Sequence, residues 1–249
     1  FARAYSGANI DGASVTYRVV RAARFPFWWW CKWGYYPTAP EMEITNGITQ
    51  TDAQGKFNIN FQAIADKSID SVSDPIFDFT IYADVTDING ETHSNTTTIS
   101  VGYKSLLVNA TIGNINKDQL TKTAKEFLIS TTNLTGQFEP AKGSITIHEL
   151  KSPSKAFRAR QWEQADRTLY TREQYYELFP VDLYEDETNK FKWERAKEVF
   201  QLNFDTQTKK TFTLDNPGKW KSGEYVLEIK ALDAAGKEVK EVSYFTVYA

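Results

Sequence analysis

The sequence has 249 residues, with 29 Lys and Arg against 32 Asp and Glu, and this near balance offers no electrostatic basis for nucleic acid or an anionic membrane as partner. Hydrophobic residues at 41% and charged residues at 24% are ordinary globular proportions that exclude wholesale disorder, and the length admits one large domain or two of ordinary size. A single cysteine, Cys31, excludes an internal disulfide and a multi-cysteine zinc site, and the two histidines, His93 and His148, exclude a histidine-rich metal site.

Strand signals begin at once. Val15, Tyr17 and Val19 alternate with Ser14, Thr16 and Arg18, so one face turns to a core and the other to water. An aromatic segment follows, Phe25 to Trp30 and then Trp33 to Pro37, and reads as a loop-like insertion over 22–44. Asn46-Gly47 and the run Asp52 to Gly55 read as turns, because Asn and Gly tolerate positive φ. Phe57, Ile59 and Phe61 alternate with Asn58, Asn60 and Gln62 as a further strand. Ile76 through the Asn89-Gly90 turn to Val101 reads as a hairpin, with Phe77, Phe79, Ile81, Ala83 and Val85 as its inward row.

The pattern pauses near Lys104 and restarts. Phe127 and Ile129, then Ile145 and Ile147, form new alternating rows, punctuated by Gly136 and Gly143. Between 151 and 197 the chain turns polar. There Thr171-Arg172-Glu173-Gln174 fits a capping box and predicts a short helix from Arg172 to Leu178, stopped by Pro180. Strand patterns return at Phe200 to Phe204, Phe212 to Leu214 and Tyr225 to Ala231. A turn at Asp233 to Gly236 leads into a last strand, Val242 to Tyr248. The turns Asp87…Gly90-Glu91 and Asp233…Gly236-Lys237 share a pattern that suggests an internal repeat.

The fold class expected is all-β: two tandem antiparallel β-sandwich domains of immunoglobulin-like type. The first spans 1–103 with the aromatic-rich insertion 22–44, and the second spans 104–249 with the partly helical insertion 151–197. No run nears about 20 consecutive apolar residues, so no transmembrane helix is expected, and no stretch reads as a signal peptide. The start at Phe1 reads as a piece of a longer protein.

Several of these segments resemble the macroglobulin domains of bacterial alpha-2-macroglobulin-like proteins. The resemblance rests on Tyr5-Ser6-Gly7-Ala8-Asn9-Ile10-Asp11-Gly12-Ala13 with the strand Val15 to Arg21, on Thr51 to Phe57, and on Ala83 to Thr92. In the second half it rests on Asn133-Leu134-Thr135-Gly136 and on Trp220 to Tyr225 with the Asp233–Gly236 turn. It covers most of the chain outside 22–44 and 151–197. The resemblance implies seven-stranded sandwiches in series, within a much longer extracytoplasmic chain of the periplasm or cell envelope, anchored through another part of that chain. It also implies a protease-trapping scaffold whose partners are neighbouring domains of the same chain, and a protease or other protein. Many members carry a thioester between a Cys and a Gln three residues on. Here Cys31 is followed by Lys32, Trp33 and Gly34, so the thioester motif is missing from this sequence.

No catalytic residue, cofactor or metal is assigned. Asp84, Asp87, Asn89 and Glu91 place oxygens near a calcium-loop spacing, but the register does not fit an EF-hand and Asp-x-Asn-Gly is a hairpin turn. Cys31 as a nucleophile would need a base that neither histidine supplies nearby in sequence, and the acidic run Glu185-Asp186-Glu187 has no partner carboxylate across a cleft. Asn95, Asn109 and Asn133 open formal glycosylation triplets that also read as strand edges and turns. The candidate interaction surface is Phe27, Trp28, Trp29, Trp30, Trp33, Tyr35 and Tyr36, since so many rings left in water form a sticky patch. Packing on a neighbouring domain would cover it; a carbohydrate- or protein-binding module would use it. An enzyme fragment is the remaining alternative.

Overall fold

A computed structural model describes residues 1–4, 7–120, 124–160, 167 and 169–249. Tyr5 and Ser6 of the resemblance motif, and 161–166 and 168 of the polar insertion, lie outside the described residues. The chain divides into two compact units. The first comprises Phe1–Pro26, Tyr35–Ser105 and Asn133–Gln137; the second comprises Phe27–Gly34, Leu106–Thr132 and Phe138–Ala249. Both are built mainly on antiparallel strands, with one short parallel pairing in the second unit, so the fold class is all-β.

The first unit holds one sheet of four strands, β1 (Ser14–Arg24), β2 (Met42–Gln50), β3 (Ile76–Thr86) and β4 (Thr92–Gly102), in the order β2-β1-β3-β4. The alternation read from the sequence fixes its faces. Val19, Phe77, Phe79 and Ile81 point inward and pack with Ile69, Ile59 and Phe61. The implied seven-stranded count is not met here. Phe57–Phe61 keeps the predicted alternation, with Phe57, Ile59 and Phe61 half-buried and the residues between them exposed, but it joins no ladder. It lies as an extended second layer, with the Phe61 and Phe79 ring centroids 5.6 Å apart.

Asn46-Gly47 is not a turn: both residues lie inside β2, with Gly47 opposite Tyr17 of β1. The glycine is required by packing, because a Cβ there would come within 2.8 Å of the Tyr17 hydroxyl oxygen.

The second unit is a sandwich. A three-stranded sheet, β5 (Leu106–Thr111), β7 (Ala124–Asn133) and β10 (Thr211–Asp215), packs on a sheet ordered β6-β12-β11-β8-β9. This second sheet is formed by β6 (Ile115–Asn116), β8 (Lys142–Leu150), β9 (Arg195–Asp205), β11 (Gly223–Leu232) and β12 (Glu238–Tyr248). The core between them includes Leu106, Ile129, Leu214, Ile145, Ile147, Tyr225, Leu227, Ile229 and Phe245, each no more than 2% exposed. Burial of that apolar area is the main stabilising contribution. β5 and β6 fill the interval where the sequence pattern was read as a pause.

Four turns share one construction. In each, an Asp or Asn side-chain oxygen accepts from the backbone amides two and four residues on, and a glycine at the fourth position has positive φ. Asp52 accepts from Gln54 and Lys56 at 2.9 and 2.8 Å, Asp87 from Asn89 and Glu91 at 2.8 and 2.9 Å. Asn133 accepts from Thr135 and Gln137 at 3.0 and 2.9 Å, Asp233 from Ala235 and Lys237 at 2.9 and 2.8 Å. The glycines are Gly55, Gly90, Gly136 and Gly236, with φ from 72° to 85°. A left-handed backbone at that position favours glycine, which has no Cβ to clash.

Candidate interaction surface

The aromatic insertion folds as a helix, α1 (Phe27–Trp33), rather than as a loop. Pro26 precedes it, and Gly34 follows with φ 76° and its amide donating to the Trp30 carbonyl at 2.7 Å. This pairing of proline before and glycine after is the ordinary helix punctuation. At helical spacing Phe27 meets Trp30 at 6.0 Å, and Trp29 meets Trp33 at 6.0 Å.

The receptor for α1 within the second unit is Phe191, carried on the 3₁₀ turn Lys190–Lys192. Its ring meets Trp30 edge to face at 5.1 Å, Phe27 at 6.1 Å and Tyr244 of β12 at 4.8 Å. Asn189 fixes that turn by accepting from the Phe191 amide at 3.2 Å, and Lys190 ties it to Glu224 of β11 at 2.9 Å. The C-terminal end of the polar insertion therefore serves as the seat of the aromatic helix. Edge-to-face ring pairs of this kind contribute about 0.5–1.5 kcal/mol each beyond area burial.

Three titratable groups meet under α1. Cys31 is buried, and burial together with the charge of Glu241 pushes its thiol up to about 12. Burial raises Glu241 of β12 to about 7, against one hydrogen bond from the Val242 amide at 3.0 Å. Tyr244 is raised to about 12, by burial first and by Cys31 next. A thiol so shifted is neutral at physiological pH, whereas a nucleophilic cysteine needs the thiolate.

Phe27, Trp28, Trp29, Trp30 and Trp33 belong to the second unit, and Tyr35 and Tyr36 to the first, where Tyr36 stacks on Phe25 at 6.0 Å. Within the helix Trp28, Trp29 and Trp30 are half-buried, while Phe27 at 43% and Trp33 at 50% stay exposed. The outward face is thus two rings, with Lys32 5.0 Å from the Trp33 ring centre.

No protein-family model matches the chain, and no curated protein sequence matches it. Among solved structures it is similar to the native conformation of E. coli alpha-2-macroglobulin, at 10% identity and a TM-score of 0.38, over 98% of this chain. The chain spans 14% of that protein's length.

The other sequence candidates resolve as structure. The predicted helix is present as α2 (Arg172–Leu178), with both halves of the Thr171–Gln174 capping box formed. Glu187 of the acidic run is buried and accepts from the Tyr176 hydroxyl at 2.5 Å and from Arg172 at 3.0 Å. Burial acts to raise its carboxyl, but Tyr176, backbone amides and Arg172 outweigh that and hold it below the usual range. These groups border a cleft of about 870 Å³ with Lys155, Phe157 and Trp193. Asp186 pairs with Lys192 at 2.5 Å. Asp87 spends its oxygens on its own turn, foremost on the Glu91 amide, and its pKa is lowered accordingly. Among the described residues no group of three His, Cys, Asp or Glu is placed to hold a metal ion, and no helix is long and apolar enough to cross a membrane.

Proposed function

We propose that the chain is a non-catalytic structural and interaction segment of a large alpha-2-macroglobulin-like protein. It acts as part of a protease-trapping scaffold outside the cytoplasm, with neighbouring domains of the same chain as its first partners. The observation that carries this reading is the shared turn at Asp52, Asp87, Asn133 and Asp233, because all four fall in the segments on which the family resemblance rests. Its extracytoplasmic placement and protease partner follow from the family resemblance alone. The experiment uses the full-length protein, with and without this segment, incubated with a broad-specificity serine protease. A trap leaves cleavage of a small chromogenic substrate intact and blocks cleavage of a large protein substrate. Equal inhibition of both, or of neither, by the intact protein rejects the reading.

A second reading is favoured by the exposure of Phe27 and Trp33. Here the α1 face is a carbohydrate- or protein-binding patch, since exposed aromatic rings dominate contact energy. Glycan-array or pull-down binding that vanishes in Trp33→Ala supports it; binding unchanged by Trp33→Ala and Phe27→Ala rejects it.

A further inference from the structure

The sandwich of the second unit is open along one side. β5 is the edge strand of the three-stranded sheet and packs on β12, which β6 covers only at Val247 and Tyr248. Between β5 and the uncovered part of β12 lies a cavity of about 610 Å³, within the size range of small-molecule sites. Val108 of β5, with Leu227 and Ile229 of β11, gives it apolar walls, and Phe27 and Phe191 border it.

One carboxyl opens into these walls. Glu241 stands opposite Ile229 in the β11–β12 ladder, on the face that carries Phe245, and lines the cavity. Its Oε1 accepts from the Val242 amide at 3.0 Å, and among the described residues its Oε2 has no hydrogen-bond or ion-pair partner. The side-chain atoms that are both sealed from water and unpartnered are Trp29 Nε1 and His148 Nδ1, so Oε2 is open to a water-sized molecule. The groups around Glu241 are engaged or neutral. Lys190, which also borders the cavity, holds Glu224 at 2.9 Å, and Arg195 is paired with Glu228. The Cys31 thiol of α1 and the Tyr244 phenol of β12, both pushed up to about 12, are un-ionised at neutral pH. Asn109 of β5 has no charge to offer. Burial therefore raises the Glu241 carboxyl to about 7 with no cation to offset it.

Such a cavity makes two demands of a ligand. The apolar walls favour a hydrocarbon or aromatic stem, which gains by leaving water. A carboxyl without a counter-charge favours a cation, because their attraction is far stronger in a low-dielectric wall than in water. A neutral ligand meets the first demand alone, and an anion opposes the second. We infer that the cavity binds a primary ammonium on an apolar or aromatic stem, with Glu241 as its counter-ion and the stem against Val108, Leu227 and Ile229. A free amine and a lysine side chain from another polypeptide segment share this chemistry.

The test uses the whole chain with phenylbutylamine, its neutral counterpart phenylbutanol, and a short end-capped peptide with one central lysine. Binding is read by calorimetry and by the methyl NMR signals of Val108, Leu227 and Ile229. At pH 8 the amine is expected to shift those methyls and to bind at least about 10-fold more tightly than the alcohol. Its affinity is expected to fall about 10-fold from pH 8 to pH 5.5, because Glu241 takes up its proton while the amine stays charged. Glu241→Gln keeps an acceptor for the Val242 amide. It is expected to lose both the preference for the amine and the pH dependence, and to bind the alcohol as the parent does. Binding of the amine without the peptide assigns a free amine as the ligand. Peptide binding with the same methyl shifts, lost in Glu241→Gln, assigns a lysine side chain. The inference is overturned if neither amine nor peptide shifts the methyls, if the alcohol binds as tightly as the amine, or if Glu241→Gln binds the amine as the parent does.

Discussion

Arg21 and Asp66 form an ion pair at 2.6 Å in which the arginine side chain, 6% exposed, is buried on the inner face of β1. The same guanidinium donates to the Ile64 carbonyl at 2.9 Å, so one side chain clamps the 57–66 segment over the sheet. Removing Asp66 leaves a buried cation unpaired, whereas replacing the arginine with an apolar side chain of similar length removes the need for a partner. Asp66→Ala is therefore expected to lower the melting temperature more than Arg21→Met, as measured by circular dichroism. The Asp66 carboxyl is held below its usual range, by the Ser68 hydroxyl and amide first and by Arg21 among the lesser causes. Its contribution is present above the unfolded-state value near 3.8 and is lost as pH falls below it. The difference between Asp66→Ala and the parent should shrink on acidification. Equal melting of the two single variants at neutral pH would contradict the clamp.

Gly143 in β8 gives a test of close packing. A Cβ there would lie 2.1 Å from the Lys230 carbonyl oxygen and 2.6 Å from the Phe204 ring, whereas one on Gly223 would meet nothing within 4 Å. Overpacking of this kind costs about 1–3 kcal/mol. Denaturant unfolding of Gly143→Ala should show that loss, with Gly223→Ala close to the parent.

Much of the fold was legible because burial imposes a period of two. β3 and β11 follow the alternation read from Phe77–Val85 and Tyr225–Ala231, and α2 begins where the capping box places it. Asn46-Gly47 misled because the same dipeptide serves a hairpin turn and a ring-accommodating strand position, and only Tyr17 across the sheet distinguishes them. The alternation of Phe57–Phe61 reports which way side chains face, not whether a neighbouring strand exists. α1 was obscured by aromatic residues that favour strands, although Pro26 and Gly34 were a readable signal of a helix between them. Phe191, more than 150 residues from α1, carried no local signal of its role.

The docking of α1 is measurable through Trp30 and Phe191, whose centroids lie 5.1 Å apart. A double-mutant cycle with Trp30→Ala and Phe191→Ala, read by denaturant unfolding, is expected to return a coupling of about 0.5–1.5 kcal/mol. Additivity within error would mean that the rings do not support one another.

Cys31 reports on the same docking. Being buried and raised to about 12, it should resist iodoacetamide at neutral pH and react fully once denaturant unfolds the chain. Phe191→Ala should speed alkylation by loosening α1. A thiol that reacts in the native protein as fast as a free cysteine would show that the helix is not seated.

Glu241 makes the stability of this region depend on pH, and the direction is set by its environment. It occupies the face of β12 that carries Val239 and Phe245, opposite Ile229 of β11, and burial lifts its carboxyl from 4.5 to about 7. The folded protein thus holds the proton more tightly than the unfolded chain. The stabilisation this brings is complete below about 4.5 and is lost as pH rises through about 7, where the folded state must either carry a buried charge or loosen. A shift of this size corresponds to roughly 3–4 kcal/mol between the two limits. Glu241→Gln keeps an oxygen to accept from the Val242 amide and removes the titration. At pH 8 it should melt above the parent, and at pH 4.5 the two should coincide, with the gap opening between those values. Parallel melting curves across that range would mean that Glu241 meets water in the folded protein. A gap that opens on acidification instead would reverse the sign and place a compensating cation beside it.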